Sequence, residues 1–439
     1  MSYNDFKQEK SMIIYKRQVK VAFLLLLLSQ TSLIAQFTYS GNINPSKMIR
    51  TSNQSEIKLP FRLATIKASY TMGSFDFLTN SAIEYRWDGE PTFDFREVYV
   101  AYFPDWGEVK LGKQIHAWGM VDGNNPTDNL NAYDYYFMFM PGADRKIGSN
   151  SASVNLIFGD YQFETVIIPG HTPNRLTFGE DDFPIKPPMD EPDSYVEIED
   201  PMEIGFRLRG SFPAADVSLS YFKGHDRLFS LSGFTLVEGG MPNFNFGFRS
   251  TEVYGANLVT FLGDMTLRGE FGYFNSKGTI IKNDFNIFDN NAEYLQYVIQ
   301  LEIPGPLDIA LNAQYIGSRI IEVSELTLVT LTGMVLYHQD IDTFSPGMGT
   351  PFAMFAENGL SLSATGWLMD DRLELSANTF MNLDENGYMI GARVFYSPSE
   401  SWGIEAQLSQ FIGDEENSEN PFTKLEDFSH IQIGLKYSF

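Results

Sequence analysis

Ile431-Gln432-Ile433-Gly434-Leu435-Lys436-Tyr437-Ser438-Phe439 ends the 439-residue chain. Apolar and polar residues alternate without a break: Ile431, Ile433, Leu435, Tyr437 and Phe439 on one side, Gln432, Gly434, Lys436 and Ser438 on the other. A period of two places these sets on opposite faces of a β-strand. No polar tail follows. In water an unpaired apolar strand invites aggregation. In a bilayer the same strand is satisfied if its backbone closes against another strand and its apolar face meets lipid. The ending therefore favours a transmembrane β-barrel over a soluble sandwich.

The terminal aromatic residue resembles the insertion signal of bacterial outer-membrane proteins, which implies the barrel assembly machinery as a partner. The other end of the chain reads as an export signal. Lys7, Lys10, Lys16, Arg17 and Lys20 precede the apolar run Val21–Leu28, and a small residue, Ala35, stands at a plausible cleavage point. This is the pattern of a secretory signal peptide over 1–35, and the run falls short of the roughly 20 residues a spanning helix needs. The expected product is an outer-membrane barrel over 36–439 in a Gram-negative cell, in contact with the bilayer and its lipopolysaccharide.

Composition agrees. There is no cysteine, which argues against thiolate metal sites and disulfide-stapled folds. Aromatics make up 15% of the chain, with 37 Phe and 22 Tyr, enough for girdles at both membrane interfaces. The formal net charge is -25; segment 1–35 carries a net +3, so the remainder carries -28. Such acidity excludes a nucleic-acid partner, since no basic stripe exists to meet phosphates.

Period-two segments bounded by turn residues recur along the chain: 61–72, 75–87, 93–103, 108–117, 151–158, 161–168, 202–212, 217–223, 249–262, 265–275, 293–303, 307–319, 358–369, 372–382, 388–396, 402–412 and 427–439. Turns such as Gly73-Ser74, Gly159-Asp160 and Gly263-Asp264 are short, whereas most of the connections between hairpins, among them 118–150, 169–201, 224–248 and 320–357, are long. Short periplasmic turns and long extracellular loops are the asymmetry of bacterial barrels. If the last strand ends in the periplasm, 61–72 must descend, and an ascending strand must precede it; 36–44 can supply it. The expectation is an antiparallel barrel of about 18 strands, with 16 as the alternative, and an aqueous lumen at either size.

On the faces assigned to the lumen stand Arg207 and Arg209, Arg268 and Glu270, Gln300 and Glu302, Asp308, Asn312 and Gln314, Glu374, Arg393, Glu405 and Gln407. Both signs occur, so no single-sign selectivity ring is legible.

One block stands apart. Within 109–136 the chain reads VKLGKQIHAWGMVDGNNPTDNLNAYDYY. The series Gly112-Lys113-Gln114, Trp118-Gly119, Asp122-Gly123 and Asn125-Pro126-Thr127-Asp128 resembles an uncharacterised porin-like outer-membrane family that carries G-(R/K)-Q-x-x-x-W-G followed by N-P-x-D. Asp144–Gly148 and Ile168–Arg175 are similar as well. The resemblance implies a barrel in the outer membrane and a channel or importer function without an assigned solute. Lys113 replaces the commoner Arg, and Tyr133–Met140 is unusually aromatic. By alternation Lys113 shares a face with Val109 and Leu111, where a charge in lipid costs roughly 2–4 kcal/mol; a β-bulge after Gly112 would turn it inward. The stretch 118–150 is too long for a passive turn and reads either as a loop folded into the lumen or as one lying on the rim. Lys113, Gln114, Trp118, Asp122, Asn125, Asp128 and Arg145 are the candidate functional block.

Catalytic and cofactor signals are weak. The five histidines, His116, His171, His225, His338 and His430, show no metal-ligand spacing. Neither a Gly-x-Ser-x-Gly elbow nor a phosphate loop occurs. Segment 178–200 holds nine carboxylates against Lys186; it reads as a hydrated loop, and calcium would be its sharper reading. No catalytic residue, metal or cofactor is expected. A small-molecule channel leads, ahead of a surface interaction protein anchored by its barrel and, last, a barrel enzyme.

Overall fold

The computed structural model describes residues 36–183, 190–235, 242–282, 287–329, 333–414, 416–418 and 420–439; the expected signal peptide lies outside them. Eighteen antiparallel strands form one closed barrel. In chain order they are β1 (Gln36–Ile43), β2 (Phe61–Met72), β3 (Phe75–Tyr85), β4 (Thr92–Tyr102), β5 (Gly107–Gln114), β6 (Ser149–Phe158), β7 (Tyr161–Ile168), β8 (Glu203–Ser211), β9 (Ala215–His225), β10 (Ser250–Leu262), β11 (Met265–Lys277), β12 (Ala292–Pro304), β13 (Ala310–Val323), β14 (Asn358–Leu368), β15 (Leu373–Asn382), β16 (Gly387–Ser399), β17 (Trp402–Ile412) and β18 (His430–Ser438).

Closure falls between β1 and β18. Gly41 and Phe439 exchange both backbone hydrogen bonds, at 3.0 and 3.1 Å. Asn42 and Ile43 pair with Ser438 and Tyr437. Beyond Asn44-Pro45 the same register continues from Ser46↔Gly434 to Arg50↔His430. The first ascending strand occupies the expected 36–44 run as Gln36–Ile43; proline has no N–H to give the ladder, so a hinge at Pro45 separates it from a second piece over Ser46–Arg50. A short turn then leads back through Glu56–Ile57 into β2.

The outer face follows the alternation. Ile431, Ile433, Leu435, Tyr437 and Phe439 are all exposed. Aromatic pairs Trp402–Tyr437, Phe75–Tyr102 and Phe158–Tyr161 lie at 4.9, 4.7 and 5.9 Å beside the short turns, as an interfacial girdle does. Among the described residues no helix is long and apolar enough to cross a membrane. The spanning is done by strands.

Three details depart from expectation. Lys113 is not turned inward: neither pairing of β5 with β4 or β6 shows a register shift, so it stays on the Leu111 face and its ammonium meets Asp94 at 3.3 Å. Gly112 itself is required, because at φ 139° a Cβ would lie 2.3 Å from the Val98 carbonyl. Asp308 belongs to the turn before β13, at φ 58°, and is not on a strand. Beyond the barrel, short strands pair within the long connections: Ser230–Thr235 with Asn243–Gly247, Thr279–Ile281 with Ile287–Asp289, and Leu326–Val329 with Val335–Gln339.

Deleting Phe439 strips the Gly41 amide and carbonyl of their partners in a medium that offers no replacement. The shortened chain should be exported normally, yet yield little heat-modifiable folded barrel in outer-membrane fractions on gel electrophoresis.

Candidate functional site

The connection between β5 and β6 does not lie on a rim; its side chains and amides bond to inward-facing residues on strands much later in the chain. Glu270 of β11 collects most of it. Its carboxylate accepts the amides of Met120 and of Val121 (2.9 Å), the Asn125 side chain (3.0 Å) and the Thr127 hydroxyl (3.1 Å). A buried carboxylate costs heavily unless its lone pairs are filled, and here the loop fills them. Next along the wall, Gln300 of β12 accepts the Asp122 amide at 2.7 Å and donates to the Asp122 carboxylate at 2.7 Å. Gln314 of β13 donates to the Asp122 carbonyl and accepts from Asn124 at 3.2 Å.

Trp118 is 1% exposed. Its indole N–H donates to Glu164 of β7 at 3.0 Å, and Arg207 of β8 lies over the ring while pairing with the same carboxylate at 2.8 Å. Room for the ring comes from Gly205, where a Cβ would stand 2.6 Å from the indole. Farther on, Asp128 and Lys146 form a buried ion pair, and the Lys146 ammonium also donates to the His116 carbonyl at 2.8 Å. Asp144 docks the far limb on the wall: Arg62 and Arg96 both reach its carboxylate, at 3.3 and 2.8 Å, and donate to the carbonyls of Asp144 and Ala143. Arg96 is the extra residue of a bulge in β4 opposite Asn80 and Ser81.

Gln114 is buried on the inner face, donating to Ser151 at 3.0 Å. His116 Nε2 lies 3.0 Å from the Ser151 hydroxyl, and both residues are enclosed between loop and wall. Burial holds the His116 imidazole down at about 4. The structure thus gathers Gln114, Trp118, Asp122, Asn125 and Asp128 into one folded unit, with Lys113 left outside on the barrel's outer face. Arg145 is 4% exposed and stacks over Tyr133 at 5.6 Å; among the described residues it makes no ion pair.

Two further connections meet this unit. Thr350 donates to Asn124 at 3.0 Å, and its amide bonds Gln296 of β12. Phe139 packs on Phe411 and on Phe428 at 5.8 and 6.2 Å, beside Phe422 of the short helix Pro421–Leu425. A hydrophobic cluster of Tyr133, Tyr135, Met138, Phe355, Phe380, Phe411, Phe422 and Phe428 therefore packs the loop against β15 and β17.

Elsewhere the inner face carries guanidinium–carboxylate pairs: Arg209–Asp216 at 3.3 Å, Arg268–Glu302 at 2.7 Å, and Arg393 between Glu374 and Glu405 at 2.5 and 2.6 Å. The acidic segment 178–200 is tied down at its start, by Arg86–Glu180 and Arg50–Asp182, at 2.6 and 2.7 Å; residues 184–189 lie outside the described set.

The folded architecture has solved counterparts. OccAB4 of Acinetobacter baumannii superposes with a TM-score of 0.52 over 92% of this chain and 98% of that one, at 9% identity. The two share the closed antiparallel β-barrel fold. A BenF-like porin of Pseudomonas fluorescens Pf-5 aligns over 93% and 99% of the two chains at TM-score 0.49 and 10% identity, and OccK11 of Pseudomonas aeruginosa over 92% and 96% at 0.49 and 11%. At such identities the likeness is one of fold. No family model and no curated protein matches the chain.

Sequence reading missed Arg62 and Arg96 as docking residues, because only their carboxylate partner, some fifty to eighty residues downstream, reveals them.

Two measurements probe the unit. Trp118→Ala should cost about 3–5 kcal/mol within the loop, read as earlier protease cleavage in 118–148 while the barrel stays folded. Because burial depresses His116, it should stay neutral as pH falls from 8 to 5, so its imidazole NMR shifts should not move over that range.

Proposed function

We propose that the protein is an outer-membrane channel for small hydrophilic solutes, with the connection 118–150 as its constriction. The observation that carries this reading is the course of that loop. Trp118 is held at β7 and β8, Asp122 at β12 and β13, and Asp144 at β2 and β4, so the segment crosses the interior between walls. The remaining inner face is polar, and most of its cations sit beside an anion. Such a lining suits hydrated solutes of either sign, the selection falling to the loop.

Asp122 is exposed on the loop, while Arg145 is buried in the same unit without a carboxylate partner among the described residues. Confinement raises the influence of both charges on passing ions. The block from Gly112 to Asp128 that resembles the uncharacterised porin-like family supplies most of these contacts, which supports placing the chain beside that family. In the same reading the Phe439 end is the feature the assembly machinery engages, and lipopolysaccharide borders the apolar belt.

Single-channel recording in planar bilayers tests the proposal. Removing 118–148 should raise conductance several-fold, and Arg145→Glu should shift preference toward cations at low salt, where screening is weakest. Unchanged conductance and selectivity in both variants would transfer the loop to surface binding, with the barrel as anchor.

A further inference from the structure

His171, His225 and Glu203, far apart in sequence, meet beside the lumen loop. Glu203, fully buried at the start of β8, binds Arg227 through both oxygens, at 3.0 and 2.7 Å. The two terminal nitrogens of Arg227 also donate to carbonyls of two segments: Thr172 at 3.1 Å, and Asn129 and Leu130 at 3.0 and 3.4 Å. Its backbone amide donates to Gly347 at 2.9 Å. One ion pair therefore ties the constriction loop, the β7–β8 connection and the β13–β14 connection to the barrel wall.

The imidazoles stand against that pair. His171 Nδ1 is 3.0 Å from Glu203 Oε1 and 3.2 Å from an Arg227 nitrogen; His225 Nδ1 is 3.9 Å from Oε1. His171 Nε2 and His225 Nδ1 are buried without a hydrogen-bond partner. Around them the nearest anions are committed elsewhere: Asp226 to Arg249, Thr251 and Ser276, and Asp128 to Lys146. The remaining face is apolar, with Phe248 at 4.6 Å from His171.

We propose that this node is a proton-operated latch: protonating His171 sets an added cation beside Arg227 with one carboxylate to share, and frees the constriction loop from the wall. The inference rests on the channel reading for its consequence, though not for its mechanism. A metal at the same atoms would have to displace the guanidinium and leave unbalanced buried charge.

The direction follows from burial, which lowers the proton affinity of His171 from its ordinary value of 6.5, with Arg227 acting the same way. A released His171 regains that ordinary affinity. The closed arrangement is thus intact above 6.5 and loses ground as pH falls below it, by at most about tenfold per pH unit.

Wild type, His171→Asn, His225→Asn and the double variant should be compared at pH 7.5 and 5.0. Wild type should show faster amide exchange across 118–148 at pH 5.0, after correction for intrinsic rates, and a several-fold rise in conductance or open probability. His171→Asn should blunt both changes. The double variant should lose them and match wild type at pH 7.5. Acid-released exchange that persists in the double variant, or is missing from wild type, would overturn the latch. So would micromolar Zn²⁺ raising the thermal midpoint of wild type but not of the double variant, since that marks a metal seat. Exchange reads the latch without any current; a wild type whose loop loosens in acid yet never conducts would sink the channel reading alone.

Discussion

Everything in this molecule depends on one requirement: within hydrocarbon, each backbone N–H and C=O must find a partner in the chain. A sheet meets it only by closing, and closure here comes down to the antiparallel exchange between Gly41 and Phe439 and the register that continues past it. Once closed, strand alternation has a single solution, apolar outward and polar inward. The inward set then becomes available to anything the loops bring.

Eighteen strands enclose more space than their own side chains can fill. The chain occupies part of that space with its own connections, and it does so with two kinds of contact. Polar anchors fix position: Glu270 satisfies four donors from one short stretch, and Gln300 and Gln314 clasp Asp122 and Asn124. Aromatic packing supplies bulk, through Phe139, Phe411, Phe422 and Phe428. The anchors are directional and buried, so leaving one unmet would cost about 1–3 kcal/mol, whereas the aromatic contacts tolerate small shifts. The result is a loop whose location is set by a few wall residues.

The barrel was legible in the sequence because its signal is local. Period two, turn residues and the parity of the ends require no knowledge of distant contacts, and parity alone demands the first strand over 36–44, while the further piece Ser46–Arg50 past Pro45 has no such signal. The inner surface was legible to the same extent, since facing is a matter of odd and even. The interior loop was not. Trp118, Asp122 and Asn125 stand out by residue type, but what they touch lies 46, 178 and 145 residues away. Only a bulge would turn Lys113 inward, and its pairing with Asp94 is invisible to alternation alone. The histidines looked scattered because their meeting point, Glu203, is brought to His171 by strand pairing.

The separation between the loop and its anchors also orders events in time. Residues 118–128 emerge well before β11, β12 and β13, so Glu270, Gln300 and Gln314 can receive them only once those strands are in place. The inward segment is therefore made early and seated late, waiting on wall residues that the chain completes only with β13.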